Sequence, residues 1–338
     1  MPEGRSSKTQ LLLTEENVES YKRMNEKIKE AGRKANGFEP YLIMQANHSG
    51  RYSNPDNRPA PMIAYRHPQL EQYRAADDSC IVTDDYLKSL EESFGKAALL
   101  AKKAGFDAVD IKSCHGYLLA ELLSAYDRPG QYGGNYENRT RLLKNGIKAA
   151  KVWEDENFQV TCRLGIYDGY EYPWGFGVSE GSGLKPDLKE PIRLVKELYG
   201  NFDMGKYEPE EHPFTGIGRM IAGIGEVKKA VPEMVIFGSA PTYLRQFADL
   251  YTAGAVEEGF CDGMLFGRMA FADPDYANDI IKNGRIDPKR VCMTCGKCGD
   301  LIRAHKPTGC VIRDPKTFMP FYKEFLEIKK KQPANFRG

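Results

Sequence analysis

Four of the eight cysteines stand within nineteen residues, at the spacing C-x2-C-x2-C-x11-C. Three thiols within seven residues suit a four-iron cubane, whose ligands often come from tight C-x2-C-x2-C runs. A structural zinc site usually takes its ligands from two separated C-x2-C pairs, so zinc is the second interpretation and plain thiols or disulfides are the third. The spacing predicts a [4Fe-4S] cluster whose ligands are Cys292, Cys295, Cys298 and Cys310.

A second set of candidate residues stands at the ends of short apolar runs. Gln45, Lys112 and Arg163 each stand at the carboxyl end of such a run, which is the end where α/β barrels build their active sites. Two glycine-led turns follow the last two runs, in the region where such barrels commonly hold a phosphate. The turns contain Gly238 and Ser239 in the first case, and Gly267 and Arg268 in the second.

The elements that must position these residues alternate between strand and helix. The apolar runs are short and nearly continuous, which is typical of parallel strands buried on both faces. This alternation predicts an α/β fold with either an open doubly wound sheet or a closed barrel, and the polar strand ends favour the barrel. A closed barrel needs eight strands, whereas the runs number six, at residues 41–45, 108–112, 158–163, 201–204, 234–237 and 263–266.

The bulk composition narrows the class of protein. The chain has 338 residues, of which 41% are hydrophobic, so it can bury a large core. A net charge of +1 without a long basic block argues against nucleic acid as a partner. No apolar run reaches the roughly 18 residues that span a bilayer, and no secretory leader is visible, so a cytoplasmic location without membrane attachment is expected.

Three further motifs carry a family resemblance. They are QANHSGR from Gln45 to Arg51, HGYLL from His115 to Leu119, and YGGNYENR from Tyr132 to Arg139. Together with the glycine-led turns and the cysteine block, they follow the order found in the old yellow enzyme family. The chain resembles the iron–sulfur branch of that family, which includes 2,4-dienoyl-CoA reductase and trimethylamine dehydrogenase.

The resemblance implies a fold and its division. Residues 1–290 would form an FMN-binding TIM barrel, and residues 291–338 an iron–sulfur segment with a C-terminal tail. Residues 1–5 resemble the family's loop after the second barrel strand. The expected fold is therefore a (β/α)8 barrel that lacks its first two βα units and carries a C-terminal four-cysteine loop. A misassigned start, a fragment or a second polypeptide that completes the barrel would each account for this.

The resemblance also implies how FMN would be held. Gln45 would bond the pyrimidine edge of the flavin, and Arg163 would place a cation beside the ring position that becomes anionic on reduction. The phosphate would be bound by backbone N–H groups and one guanidinium. The residues concerned are Gly238, Ser239, Gly267 and Arg268.

On the substrate side, the resemblance assigns His115 and Lys112 as donors to a carbonyl oxygen, because hydride addition to an activated alkene creates an enolate. Tyr117 would protonate the α-carbon, assisted by His212 from a later loop. Simpler members of the family use two histidines, and Lys112 stands in place of one of them. His67 is expected to have no functional role.

These roles imply the reduction of an activated C=C bond in an enone, enoate or dienoyl compound, with electrons entering through the cluster. A separate protein, such as a ferredoxin or a flavoprotein reductase, would supply them, with NAD(P)H as the indirect source. One alternative is a non-catalytic barrel fragment or subunit. The sequence leaves open whether copies of the chain associate into an oligomer. The other alternative is an amine-demethylating dehydrogenase of the trimethylamine dehydrogenase type, with an aromatic cage from Tyr170, Tyr172, Trp174 and Phe176.

Overall fold

The computed structural model describes residues 1–72, 75–198, 201–204 and 213–331. None of the helices in these ranges is both long and apolar enough to cross a membrane. The strands are β1 (Ile43–Ala46), β2 (Ala108–Ser113), β3 (Gln159–Leu164), β4 (Asn201–Met204), β5 (Ile236–Ser239) and β6 (Gly263–Leu265). The helices are α1 (Val18–Asn36), α2 (Asp84–Lys103), α3 (Leu118–Leu123), α4 (Tyr136–Arg139), α5 (Arg141–Lys151), α6 (Lys189–Leu198), α7 (Pro213–Ala230), α8 (Ala248–Glu257), α9 (Gly267–Ala272), α10 (Tyr276–Asn283), α11 (Lys297–Arg303) and α12 (Pro315–Lys331).

The strands from β1 to β5 pair in chain order, and every pair is parallel. Successive strands that are adjacent and parallel require crossover connections, which the intervening helices supply. The predicted α/β class is therefore confirmed. The described strands do not close into a barrel, so the closed form and the two preceding βα units stay predictions.

The centre of the sheet is β2, which is buried along its whole length. Helix α2 covers it, and begins where the Thr83 hydroxyl accepts the Tyr86 N–H at 3.2 Å. Its apolar face buries Leu87, Leu90 and Phe94 almost completely, and each such side chain contributes about 1.5–3 kcal/mol. Helix α5 approaches closely because Gly146 faces Phe94, where an added Cβ would lie 2.9 Å from the ring.

The chain forms two compact units. The first contains Met1–Glu211 and Ala222–Phe237, and the second contains His212–Ile221 and Gly238–Gly338. Neither unit begins or ends between residues 290 and 291. The predicted domain boundary at that position therefore stays a prediction. In the second unit the cysteine segment belongs to the core itself, which is formed by Ala248, Met269, Ala272, Ile286, Val291 and Cys292.

Candidate active site and cysteine recess

A row of polar side chains crosses one face of the sheet in the first unit. The parallel register sets Gln45 beside Asp110 and Asp110 beside Thr161, and further along the strands it sets Lys112 beside Arg163. Because side chains alternate along a strand, these five residues point to the same face. We call them the strand-end row. The sheet thus brings together Gln45, Lys112 and Arg163, which the sequence had placed at three separate strand ends.

Asp110 lies at the centre of the row and is nearly buried. Its carboxyl accepts hydrogen bonds from Gln45 Nε2 at 2.6 Å and from Thr161 Oγ1 at 3.3 Å. Burial raises the pKa of Asp110, against the lowering effect of these bonds and of the Arg163 and Lys112 charges. One carboxylate therefore faces two cations, so the row has an excess of positive charge and favours an anionic group.

The Lys112 side chain is only 8% exposed. Its Nζ lies 3.7 Å from the centroid of the Tyr117 ring, which is a cation–π contact. The pKa of Lys112 is lowered to about 8, mainly by burial and in smaller part by the Arg163 charge, against the raising effects of Cys114 and Asp110. The ammonium group is therefore mostly charged at neutral pH but loses its proton within the range in which enzymes are assayed.

His115 lies just beyond β2, where the chain reverses. His115 and Gly116 both have a φ of +63°, and Tyr117 then takes the N-cap position of α3. Burial, followed by the charges of Lys112 and Arg163, lowers the pKa of His115 to about 3, so the ring is neutral at physiological pH. The buried Cys114 thiol lies 3.5 Å from Nδ1. A thiol that donates to Nδ1 leaves Nε2–H as the donor for a substrate.

The predicted phosphate residues belong to the second unit. Gly238 and Ser239 end β5, and the next residue, Ala240, has a φ of +68°. Gly267 begins α9, and the guanidinium carbon of Arg268 lies 4.7 Å from the centroid of the Tyr243 ring. These residues stand at the ends of the last two strands, as predicted, and could hold a phosphate. The role of these residues stays a prediction. His212, which was predicted to assist Tyr117, lies outside the described residues.

All four predicted cluster cysteines line one recess of about 330 Å³, including the space open to solvent. We call it the cysteine recess. Cys295 is exposed at its mouth, whereas Cys292 is buried. The Thr294 N–H donates to Cys292 Sγ, and the Arg313 N–H donates to Cys310 Sγ, both at 3.4 Å. Hydrogen bonds to ligand sulfurs are one of the means by which proteins set a cluster's potential.

Burial and charge act in opposite directions on the thiols of the recess. Burial raises the pKa of the Cys292 and Cys298 thiols, and the nearby Arg268 charge offsets only part of this rise. Within the described ranges, no three His, Cys, Asp or Glu side chains stand close enough to hold a single metal ion. One Zn²⁺ needs its sulfurs about 2.3 Å from a common centre, whereas each thiolate of a cubane binds a separate iron. The four thiols could each hold one iron of such a cluster, and the [4Fe-4S] assignment stays a prediction.

Comparison with known proteins identifies the family. Residues 2–176 match the family described as NADH:flavin oxidoreductase / NADH oxidase. The chain belongs to this family. It therefore comes from a group of flavin-linked oxidoreductases, as the QANHSGR and HGYLL motifs predicted.

Relatives of this chain include the NADPH dehydrogenase of Clostridium acetobutylicum, 31% identical over 209 residues, which are 60% of this chain and 55% of that protein. The cinnamate reductase of Clostridium sporogenes is 28% identical over 247 residues, which are 68% of this chain and 36% of that protein. The chain thus spans about half or less of these relatives. A structure of 2-naphthoyl-CoA reductase with 2-naphthoyl-CoA has a TM-score of 0.74 at 20% identity, and the match covers 96% of this chain and 48% of that one.

Beside His115, the first unit of the chain contains a cavity that the sequence did not predict. It encloses about 580 Å³, including the space open to solvent, and we call it the aromatic cavity. Its walls include His67, for which no role was expected. Of the four predicted cage residues, Tyr170 and Phe176 line it, whereas Tyr172 packs on Tyr126. The rings in its walls are Tyr52, His67, His115, Tyr167, Tyr170 and Phe176.

A buried ion pair supports one wall of this cavity. Arg51, 1% exposed, donates from Nε to Glu121 Oε1 at 2.7 Å and from Nη2 to the Tyr65 carbonyl at 3.3 Å. The second Glu121 oxygen accepts the Ala64 N–H at 3.0 Å. These bonds fix the segment 50–65 against α3. Arg51 is the last residue of the QANHSGR motif. Its bonds to Glu121 and Tyr65 give this position a structural role that is separate from flavin binding.

Proposed function

We propose that this protein is an FMN-dependent reductase of activated C=C bonds. The observation that carries the proposal is the grouping of Lys112, His115 and Tyr117 with Gln45 and Arg163 at one face of a parallel sheet. Membership of a flavin oxidoreductase family supports it, as does the relative named cinnamate reductase, whose name describes the same class of chemistry.

The strand-end row fits a flavin. The Gln45 side chain is exposed and its amide could bond a pyrimidine edge, while its Nε2 already donates to Asp110. Lys112 and Arg163 give the row an excess of positive charge, which would stabilise a reduced and anionic ring. When bound, FMN would supply the hydride that adds to the β-carbon of the substrate.

The remaining groups would serve the substrate. The Lys112 ammonium and the His115 N–H would donate to the carbonyl oxygen as negative charge develops on it. Tyr117 would deliver the proton to the α-carbon, so hydride and proton together add two hydrogens across the double bond. The Lys112 charge over the Tyr117 ring would stabilise the phenolate left behind, which then regains its proton from solvent.

The cysteine recess supports electron entry through a [4Fe-4S] cluster, which would supply single electrons. Residues 297–331 contain nine Lys or Arg and four Asp or Glu, a net charge of +5 in a chain whose total is +1. Lys297 lines the recess beside the exposed Cys295. Opposite charges steer electron-transfer partners together, so the donor would be a separate, acidic one-electron carrier, with NAD(P)H as its indirect source.

Amine oxidation is the second candidate function, and the aromatic cavity is the observation that favours it. Ring-lined pockets hold organic cations through cation–π contacts. Tyr170 and Phe176, two of the predicted cage residues, both contribute to the walls. A non-catalytic subunit, the third possibility raised by the sequence, would bind iron without flavin turnover.

The test is purification without oxygen, reconstitution with FMN, iron and sulfide, and a visible spectrum. The proposal expects flavin and cluster bands, bleaching by a reduced ferredoxin, and reoxidation of the flavin by an enone such as but-3-en-2-one. Bleaching by an added amine would replace the proposal with the second candidate. Iron without any flavin band, at saturating FMN, would leave only the non-catalytic alternative.

A further inference from the structure

The aromatic cavity has no assigned ligand, and its neighbours connect it to the proposed chemistry. His115 lies in its wall, and the Tyr52 ring, also in the wall, lies 5.8 Å from the Tyr117 ring. Two of the proposed catalytic groups are therefore at its edge. A substrate whose carbonyl contacts His115 would have part of its body in this space.

The walls offer flat, uncharged surfaces. The His67 ring lies 4.7 Å from Tyr170 in an edge-to-face arrangement, and Tyr65 stacks behind His67 at 5.8 Å. His67 donates from Nε2 to the Trp174 carbonyl at 3.1 Å and accepts the Leu70 N–H on Nδ1 at 3.3 Å, which fixes a neutral tautomer. Its pKa, lowered to about 4 mainly by burial, agrees with this.

Two carboxyl groups line the cavity, and protein donors already bind both. Glu121 pairs with Arg51 and with the Ala64 N–H. Asp168 accepts the Phe176 N–H on its two oxygens, at 3.0 and 2.9 Å. Burial also raises the pKa of Asp168 to about 7, which weakens its negative charge at neutral pH. A cation in this cavity would therefore have ring faces to contact but no uncommitted carboxylate to pair with, and a buried charge without a partner is costly.

The Asp168 bonds also shape the wall. The Asp168 N–H donates to the Phe176 carbonyl at 3.2 Å, so residues 168–176 form a closed loop. Gly175 permits this closure, because a Cβ there would lie 2.0 Å from the Tyr170 carbonyl oxygen. The loop therefore presents Tyr170 and Phe176 as a preformed surface, and little entropy is lost when a ring binds.

We propose that the aromatic cavity binds an uncharged aryl group carried on the alkene, so that the substrates are aryl-substituted enones or enoates whose carbonyl end lies at His115 and Lys112. This inference rests on the proposed reduction of activated alkenes and names its substrate class. Rings stack favourably on the offset and edge-on rings of the wall, and an uncharged aryl group leaves the two committed carboxyls undisturbed.

The test compares two neutral enones that differ by one ring, 4-phenylbut-3-en-2-one and but-3-en-2-one. The variant Ala120→Phe adds a ring from α3 into the cavity, since Ala120 lines it and is half-buried. We expect the kcat/KM ratio of the aryl to the alkyl enone to fall about tenfold or more. An unchanged ratio in a folded variant overturns the inference while the proposed function stands.

A binding measurement separates the two proposals. Calorimetry with 4-phenylbutan-2-one, which has no C=C bond to reduce, is expected to give binding about tenfold weaker, measured as Kd, in Tyr170→Leu than in the unaltered protein. If neither enone is reduced, the proposed function fails, and this measurement still tests the cavity. Equal affinity in both proteins, or tighter binding of benzylammonium than of the ketone, overturns the inference.

Discussion

The strand-end row and the cysteine recess are built in different ways. In the row, backbone pairing between β1, β2 and β3 sets which side chains are neighbours, so Gln45, Asp110 and Thr161 meet by register alone. In the recess, Cys298 lies in the first turn of α11, and the other three predicted ligands lie in irregular chain, which turns through left-handed residues at Thr294 and Gly296. The first site depends on a repeated pattern, and the second on individual residues that permit unusual backbone angles.

This difference predicts where each site is fragile. A strand-end side chain can be exchanged without moving its neighbours, because the sheet hydrogen bonds stay in place. The recess depends on its loops, on the N–H groups that donate to sulfur and on close approaches around Cys310. Substitutions in the row should therefore change chemistry selectively, whereas substitutions in the recess should also change assembly.

Loss of a cluster ligand should have the largest effect. The variant Cys295→Ser should abolish the iron content and the broad visible absorption of the reconstituted protein, because the proposed cluster would lose one of its four thiolate ligands. Cys295 is exposed, so the fold itself should survive. The variant Cys80→Ser, outside the recess, is the matched control and should keep its iron. Full iron content in Cys295→Ser would contradict the four-cysteine assignment.

The variant Tyr117→Phe tests the row at its chemical step. Loss of the proton donor should slow flavin reoxidation by an enone by about 10²–10⁴-fold, while reduction of the flavin by the electron donor is unchanged. Stopped-flow measurement of the two half-reactions in one preparation provides the internal control. Equal slowing of both half-reactions would mean that the substitution disturbs the flavin site and not the protonation.

Gly309→Ala should destabilise the recess without touching a ligand. An added Cβ would lie 2.2 Å from Cζ of Phe318 in α12, and overpacking of this kind costs about 1–3 kcal/mol in the free energy of unfolding. Urea titration measures it. The control is Gly254→Ala in α8, where a Cβ meets nothing within 4 Å and higher helix propensity should stabilise slightly. Equal effects of both would contradict the close approach.

A change of pH should give a smaller effect, through Lys112. Burial holds its pKa near 8 in the folded chain, so the proposed donor charge is present below that pH and is lost above it. The kcat/KM for an enone should therefore fall a few-fold between pH 7 and 9, and Lys112→Arg should remove this fall. His115, whose pKa is about 3, should add no ascending limb above pH 5. A fall that persists in Lys112→Arg would assign it to another group.

Charge reversal at the recess should have the smallest effect. Lys297→Glu should slow reduction by a plant-type ferredoxin by no more than about twofold at low ionic strength, and added salt should remove the difference. Lys282→Glu, on the exposed face of α10 outside the recess, should have no effect. A slowing that is independent of salt would point to a change in the cluster and not in docking.

Much of the sheet could be predicted from the sequence because buried parallel strands are short apolar runs. The structure places β4 at the predicted residues 201–204 and shifts β5 from 234–237 to Ile236–Ser239. Thr83 caps α2, which ends at Lys103, and Gly105 follows the C-cap residue with a φ of +75°. Helix α7 was missed, because its mostly apolar sequence with glycines gives no clear polar face.

The sequence predicted the cysteine recess in part and did not predict the aromatic cavity. Cysteine spacing indicated the recess, but not that Arg268, predicted at the FMN phosphate, also lines it. The aromatic cavity could not be predicted, because it depends on which loop residues face each other. His67 reaches its wall through hydrogen bonds to the backbone of Leu70 and Trp174. A histidine with two backbone partners more than 100 residues apart leaves no pattern in the sequence.

The Arg51–Glu121 pair determines how this protein could be recombined with its relatives. Each partner is buried, and 70 residues separate them along the chain. A chimera that took the QANHSGR loop from one parent and α3 from another would trap an unmatched charge wherever the parents differ at either position, at a cost of about 3–5 kcal/mol. Residues 50–65 and Leu118–Leu123 should therefore be inherited as one block in library design.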